Sequence, residues 1–264
     1  MKYLIKPFLI LLLFSNSLFA QDRLIYNSTF LSKPDTVLIF KPQTYNSQTQ
    51  QWPVIYLLNG YGGNYNQWNS IMDAQRYANE YGFIIVCPDG FNSWYINSPA
   101  QKNMQYQRFF FEELYPDILK KYQADPSKIF ISGLSMGGHG ALSLFLQQPN
   151  LFLSAGSTSG AMDLRNLTTK YGIAALLGNP EPQSDIWYQY SVLSKIDVLA
   201  GSTKQILFDC GTEDPFYESN NALRRKCDSL KINASYISQP GQHNRNYWAK
   251  SIRQQFNFFS SLLK

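Results

Sequence analysis

The chain has 264 residues, enough for one sizeable core, and shows no repeat, linker or low-complexity tract, so a single domain is expected. Aromatic residues make up 16% of it and charged residues 16%, rich in rings and lean in charge, so many of the rings belong to a core. The formal charge of +5 falls to +3 once the two lysines of residues 1–20 are set aside, too little and too scattered for a nucleic-acid surface.

Residues 1–20, MKYLIKPFLILLLFSNSLFA, place Lys2 and Lys6 before an apolar run from Phe8 to Phe14 and end on small Ala20. This is the pattern of a signal peptide removed on export. A membrane anchor is the competing reading, but the uninterrupted run is shorter than the roughly 20 residues needed to span a bilayer. Leu18 is larger than the residue usual two positions before the cleavage residue Ala20, which leaves the cleavage point open, and no cysteine lies nearby for lipid attachment. The expected mature chain is one domain, residues 21–264, secreted or periplasmic.

The more polar pieces between Leu24 and Phe40, including TVLIF (36–40), suit an antiparallel sheet edge. VIYLL (54–58) and FIIVC (83–87) are apolar almost throughout and suit central strands covered on both faces. Between them the spacing predicts a helix over 66–82, ending on Gly82, and a second follows over 106–122. After the strand KIFIS (128–132) comes a helix that stops at Pro149. Residues 160–204 form a long connection, expected to carry short helices and to overhang a site as a lid or pocket wall. QILFD (205–209), a helix over 219–230, ASYIS (234–238) and a helix over 246–263 complete the order. Such alternation predicts an α/β fold: a mostly parallel central sheet with helices on both faces.

Within this order, ISGLSMGGHGAL (131–142) is Gly133-Leu134-Ser135-Met136-Gly137 between a strand and a helix. A G-x-S-x-G turn in that context projects its serine hydroxyl at a helix N-terminus, so Ser135 is the candidate nucleophile. A serine needs a base, and the chain has two histidines. His139 lies inside the helix that Ser135 opens and cannot swing back to the turn, so it is read as a packed or hydrogen-bonded helix residue. His243, on the loop after the last strand, is the candidate base. The carboxylate that orients it is sought in ILFDCGTEDPF: Asp209 still belongs to the strand and Glu213 is expected to face water. Asp214, held by Pro215, is therefore preferred, with Glu213 as the rival. Two backbone donors are expected to meet an oxyanion, the N–H groups of Met136 and of Tyr61 in NGYGG. Cys87, Cys210 and Cys227 are an odd number without metal-ligand spacing; two could pair in an exported protein, and buried free thiols are the simpler reading.

At these residues the chain resembles the esterase D family of α/β-hydrolases, which includes S-formylglutathione hydrolases, feruloyl and acetylxylan esterases of carbohydrate esterase family 1, enterobactin-type esterases and the antigen 85 mycolyltransferases. VIYLLNGYGG resembles the family's strand and oxyanion loop, PDGFNSWYINSP its Trp-Tyr segment, ISGLSMGGHGAL its elbow, DCGTEDPFYESNNAL its acid loop and PGQHNRNYW its histidine loop. Two departures are Asn59-Gly60, where His-Gly is frequent, and Asn244-Arg245, where Asp/Thr-Trp is common. The resemblance implies an α/β-hydrolase fold, Ser135, Asp214 and His243 on the triad positions, and no metal or organic cofactor. It implies hydrolysis of a small-molecule or polysaccharide-linked ester, such as an acyl or feruloyl ester, with Trp94 and Tyr95 available to stack on a sugar or phenolic ring. No nucleic-acid partner is expected, and no membrane once the leader is removed. Acyl transfer to an alcohol, as in the mycolyltransferases, and a non-catalytic binding module on the same fold are the alternatives.

Overall fold

Eight strands of five to ten residues assemble into one sheet in the computed structural model, which describes residues 21–167 and 170–263. The signal peptide expected at residues 1–20 lies outside the described residues. In chain order the strands are β1 (Gln21–Tyr26), β2 (Asp35–Phe40), β3 (Trp52–Leu58), β4 (Ile84–Pro88), β5 (Ala124–Gly133), β6 (Ser154–Thr158), β7 (Gln205–Gly211) and β8 (Ala234–Gln239). Their order across the sheet is β1-β2-β4-β3-β5-β6-β7-β8. β1 and β2 are antiparallel to their neighbours, as the polar N-terminal pieces suggest, and every pair from β4 to β8 is parallel.

Helices α1 (Gln67–Ile71) and α2 (Ala74–Tyr81) follow β3. After β4 come α3 (Tyr106–Arg108), a π-helical turn (Phe109–Leu114) and α4 (Tyr115–Lys121). α5 (Met136–Gln147) follows β5. The long connection after β6 carries α6 (Ile173–Leu177), α7 (Pro180–Tyr190), α8 (Val192–Lys195) and three 3₁₀ turns. α9 (Tyr217–Ser229) and α10 (Arg245–Ser261) flank β8.

Alternate residues of each strand point to opposite faces. Ile55, Leu57, Ile85 and Phe130 pack with α1, α2 and α10 through Trp68, Ala78 and Phe256. Val54, Tyr56, Val86 and Ile131 pack with α4, α5 and α9 through Ile118, Leu142 and Leu223. Both faces are dry, which is why β3 and β4 read as unbroken apolar runs.

Three local features depart from expectation. β6, SAGST, escapes notice because its residues are small: Gly156 lies where a side chain would strike Gln255 and Phe259 of α10. The segment expected as one helix over 66–82 breaks at Met72, which is extended, and restarts where the Asp73 carboxylate accepts from the Arg76 N–H (2.9 Å). The helix over 106–122 contains the π turn, with Phe109, Phe110 and Leu114 buried.

Candidate active site

β5 and α5 meet at the tightest turn in the sheet. Gly133 lies against the Gly137 carbonyl and Gly137 against the Leu58 carbonyl, so a Cβ at either position would collide with backbone. Between them Ser135 takes φ 54°, ψ −117°, a conformation that non-glycine residues rarely hold. It is fixed from both sides: its N–H donates to the Thr158 carbonyl at the end of β6 (3.0 Å), and its own carbonyl accepts from the His139 N–H (3.1 Å).

His243 and Asp214 arrive on two loops that are stitched together. Thr212 N–H donates to the Gln239 carbonyl and Glu213 N–H to the Gly241 carbonyl, each at 3.0 Å, while Gly211 leaves room for the Gly241 backbone. The result is a continuous line of hydrogen bonds. Ser135 Oγ lies 2.9 Å from His243 Nε2, and His243 Nδ1 lies 2.8 Å from Asp214 Oδ2. The Asp214 side chain is wholly buried, and its other oxygen accepts the Phe216 N–H (2.8 Å). Glu213 instead points outward and bonds Gln242 (3.0 Å). Phe216 and Trp248 meet the imidazole edge-on, each 5.1 Å away. Asn244, at one departure from the family pattern, caps α10 by accepting from the Tyr247 N–H (3.1 Å).

The loop after β3 closes the third side. Gly60 N–H donates to Gln67 (2.7 Å), Gly62 N–H to Asn92 (2.9 Å) and Gly63 N–H to the Gly60 carbonyl (3.0 Å). Tyr61 N–H between them has no acceptor among the described residues, and neither has Met136 N–H at the start of α5. A Cβ on Gly60 would sit 3.4 Å from that of Ser135, which puts this loop against the serine.

Trp94 and Tyr95 need correction. They are 1% and 0% exposed, and neither offers a ring face to a ligand. Tyr95 lies under Gly90 and Gly140, with its hydroxyl on Asn59 (3.0 Å to the carbonyl and to Oδ1). Trp94 meets the His139 ring, and its indole N–H donates to the Tyr171 carbonyl (3.0 Å). They support the site from beneath; the accessible rings are others. Tyr61 and Tyr171 are 39% and 41% exposed and lie edge to face at 5.6 Å, with Phe216 continuing the row 6.5 Å from Tyr171. Sequence reasoning gives the long connection a wall-forming role but does not single out Tyr171, because a lone tyrosine in a polar stretch carries no periodic signal.

His139 is buried, with Nε2 3.0 Å from the Tyr190 carbonyl, and burial pulls it down to about 4. Beneath the site, buried Asp209 bonds Thr158 (2.6 Å) and Gln255 (2.9 Å), Gln255 reaches Ser132, and Thr158 reaches Ser251 (2.6 Å). α10 is thereby tied to the strands that carry Ser135. Among the described residues no group of three His, Cys, Asp or Glu is arranged to hold a metal ion.

Residues 28–259 match the family model described as "Putative esterase". The chain is 25% identical to an acetyl esterase of Caldicellulosiruptor saccharolyticus, over 90% of this chain and 97% of that one. Among solved structures, the substrate-bound Staphylococcus aureus fluorophosphonate-binding serine hydrolase F superposes with a TM-score of 0.80 at 21% identity, over 91% of this chain and 98% of that one. A ferulic acid esterase superposes with a TM-score of 0.76, also at 21% identity, over 93% and 100%.

Proposed function

This chain belongs to the esterase family and is a carboxylic ester hydrolase, and we propose that it works through an acyl-enzyme on Ser135. The observation that carries this reading is the unbroken line from Ser135 Oγ through His243 to Asp214. Ser135 Oγ attacks the ester carbonyl as its proton passes to His243 Nε2. Asp214 holds the Nδ1–H and stabilises the imidazolium that forms. The carbonyl oxygen, now an anion, is met by the unclaimed N–H groups of Met136 and Tyr61. His243 returns the proton to the departing alcohol; it then takes one from the water that attacks the acyl-enzyme and passes it to Ser135 Oγ as the acid leaves.

We take the substrate to be an extracellular ester carrying an acetyl or feruloyl-type acyl group, with polysaccharide as the alcohol. The expected leader supports the location. Two of the relatives are named for acetyl and ferulic acid esters, and Tyr61 and Tyr171 offer exposed rings beside the serine. A fluorophosphonate probe tests the mechanism. Mass analysis should find one adduct on Ser135, and Ser135→Ala should take no label and keep no more than about a thousandth of the turnover. An adduct elsewhere, with activity retained in the variant, refutes it. N-terminal sequencing of the exported protein should find it starting near Gln21.

A further inference from the structure

The C-terminal end of α5 faces the ends of α7 and α8 and the 3₁₀ turn Ile196–Leu199, and a groove of about 480 Å³ lies between them and Gln107 of α3. That size falls within the roughly 300–1,000 Å³ typical of small-molecule sites. Ser143 to Gln147 lie about 12–18 Å along the helix from Ser135, at 1.5 Å per residue, so this groove is not part of the ester site.

Two polar groups line it, and one of them lacks the partner its burial calls for. Lys195 is partly withdrawn from water, which pulls its ammonium below the usual lysine range. Its contacts are a long 3.4 Å bond to Ser143 Oγ and the ring of Tyr190, 5.3 Å away; it forms no salt bridge with a described carboxylate. Gln107 also lines the groove, and its carboxamide, bonded to no described residue, is open to a ligand there. A desolvated cation is costly when unpaired. Leu146, Tyr190 and Val198 supply apolar walls, and Val198 is 54% exposed.

We propose that this groove binds a small organic carboxylate, its oxygens held by the Lys195 ammonium and the Gln107 N–H and its apolar body laid on Leu146, Tyr190 and Val198. One cation and one amide match a singly charged carboxylate better than a phosphate dianion, and the walls call for an organic body.

Benzoate is the probe, with benzyl alcohol as its neutral counterpart, and calorimetric titration is the measurement. Benzoate should bind one to one, and benzyl alcohol at least about tenfold more weakly, since the charge-assisted bond is lost. Lys195→Met, which keeps the side-chain stem, should weaken benzoate about tenfold or more, and Gln107→Leu several-fold, while both keep wild-type ester turnover. His243→Ala should leave the affinity unchanged. Equal binding of benzyl alcohol overturns the proposal, as does unchanged affinity in Lys195→Met or displacement of benzoate by equimolar inorganic phosphate. Loss of binding in His243→Ala in place of Lys195→Met would put the carboxylate in the ester site and equally refute it. If Lys195→Met does not fold, Gln107→Leu and the benzyl alcohol comparison decide.

Discussion

Asp214 and Glu213 are adjacent in the chain and chemically alike, so their roles are separated by direction alone. Asp214 turns in to His243 and to the Phe216 N–H, and Glu213 turns out to Gln242. Asp214→Asn should therefore lower kcat by on the order of 10⁴, the scale seen when the imidazole tautomer is lost, and Glu213→Gln by less than about tenfold; steady-state kinetics on one ester ranks them. The inward placement of Asp214 was legible because Pro215 restrains its neighbour, and the placement of His243 beside Ser135 because only one histidine sits on a loop. The partners of His139 were not, since they come from residues 45 and 51 positions away. His139 is held down to about 4 mainly by burial, against an ordinary value of 6.5. Between those pH values the unfolded chain binds a proton that the native state refuses, so stability is whole above 6.5 and falls as pH falls. From pH 6.5 to 5.0 this amounts to about 2 kcal/mol. Urea unfolding at pH 7.5 and 5.0 should show wild type losing about that much more than His139→Gln; equal losses would assign the titration to another group.

Strands such as VIYLL and FIIVC declare themselves because both of their faces are dry, and the elbow because its glycines are forced by backbone contacts. β6 does not, since a strand that must admit α10 closely is built from Ser, Ala, Gly and Thr, and none of these signals a strand. The Trp94-Tyr95 pair misleads for a related reason: an aromatic pair on a loop reads the same whether the loop lies on the surface or folds under it. Here Phe91, Trp94 and Tyr95 all take positive φ, and the loop turns its rings inward. Tyr171, in the long connection, is the ring left accessible, also at positive φ and held through its carbonyl by Trp94. Tyr171→Ala should raise KM for methyl ferulate about two- to tenfold, the range of an aromatic contact, and leave ethyl acetate turnover within about twofold. Equal changes for both esters would remove Tyr171 from substrate contact.

Packing and buried polar bonds, without a crosslink, hold the molecule together: Cys87, Cys210 and Cys227 are all free and buried. Burial raises all three thiols, Cys227 to about 11, so none is a reactive thiolate at neutral pH. Ellman's reagent should accordingly find no fast-reacting thiol in the native protein and three in denaturant, and a reductant should leave the melting temperature unchanged. A native count above zero would mean that one of these sites opens. The fold class was legible from the alternation of strands and helices, whereas the tie from α10 to the sheet was not, because Asp209, Thr158, Ser251 and Gln255 meet only once the chain has closed. Ser135 and His243 stand 108 residues apart in the chain and 2.9 Å apart in space. A chain synthesised from its N-terminus therefore completes Ser135 long before His243, and the two can meet only once β8 has docked against β7. Under the proposed mechanism the ability to cut esters therefore waits on closure of the C-terminal part of the fold, and labelling of Ser135 during refolding should time that closure.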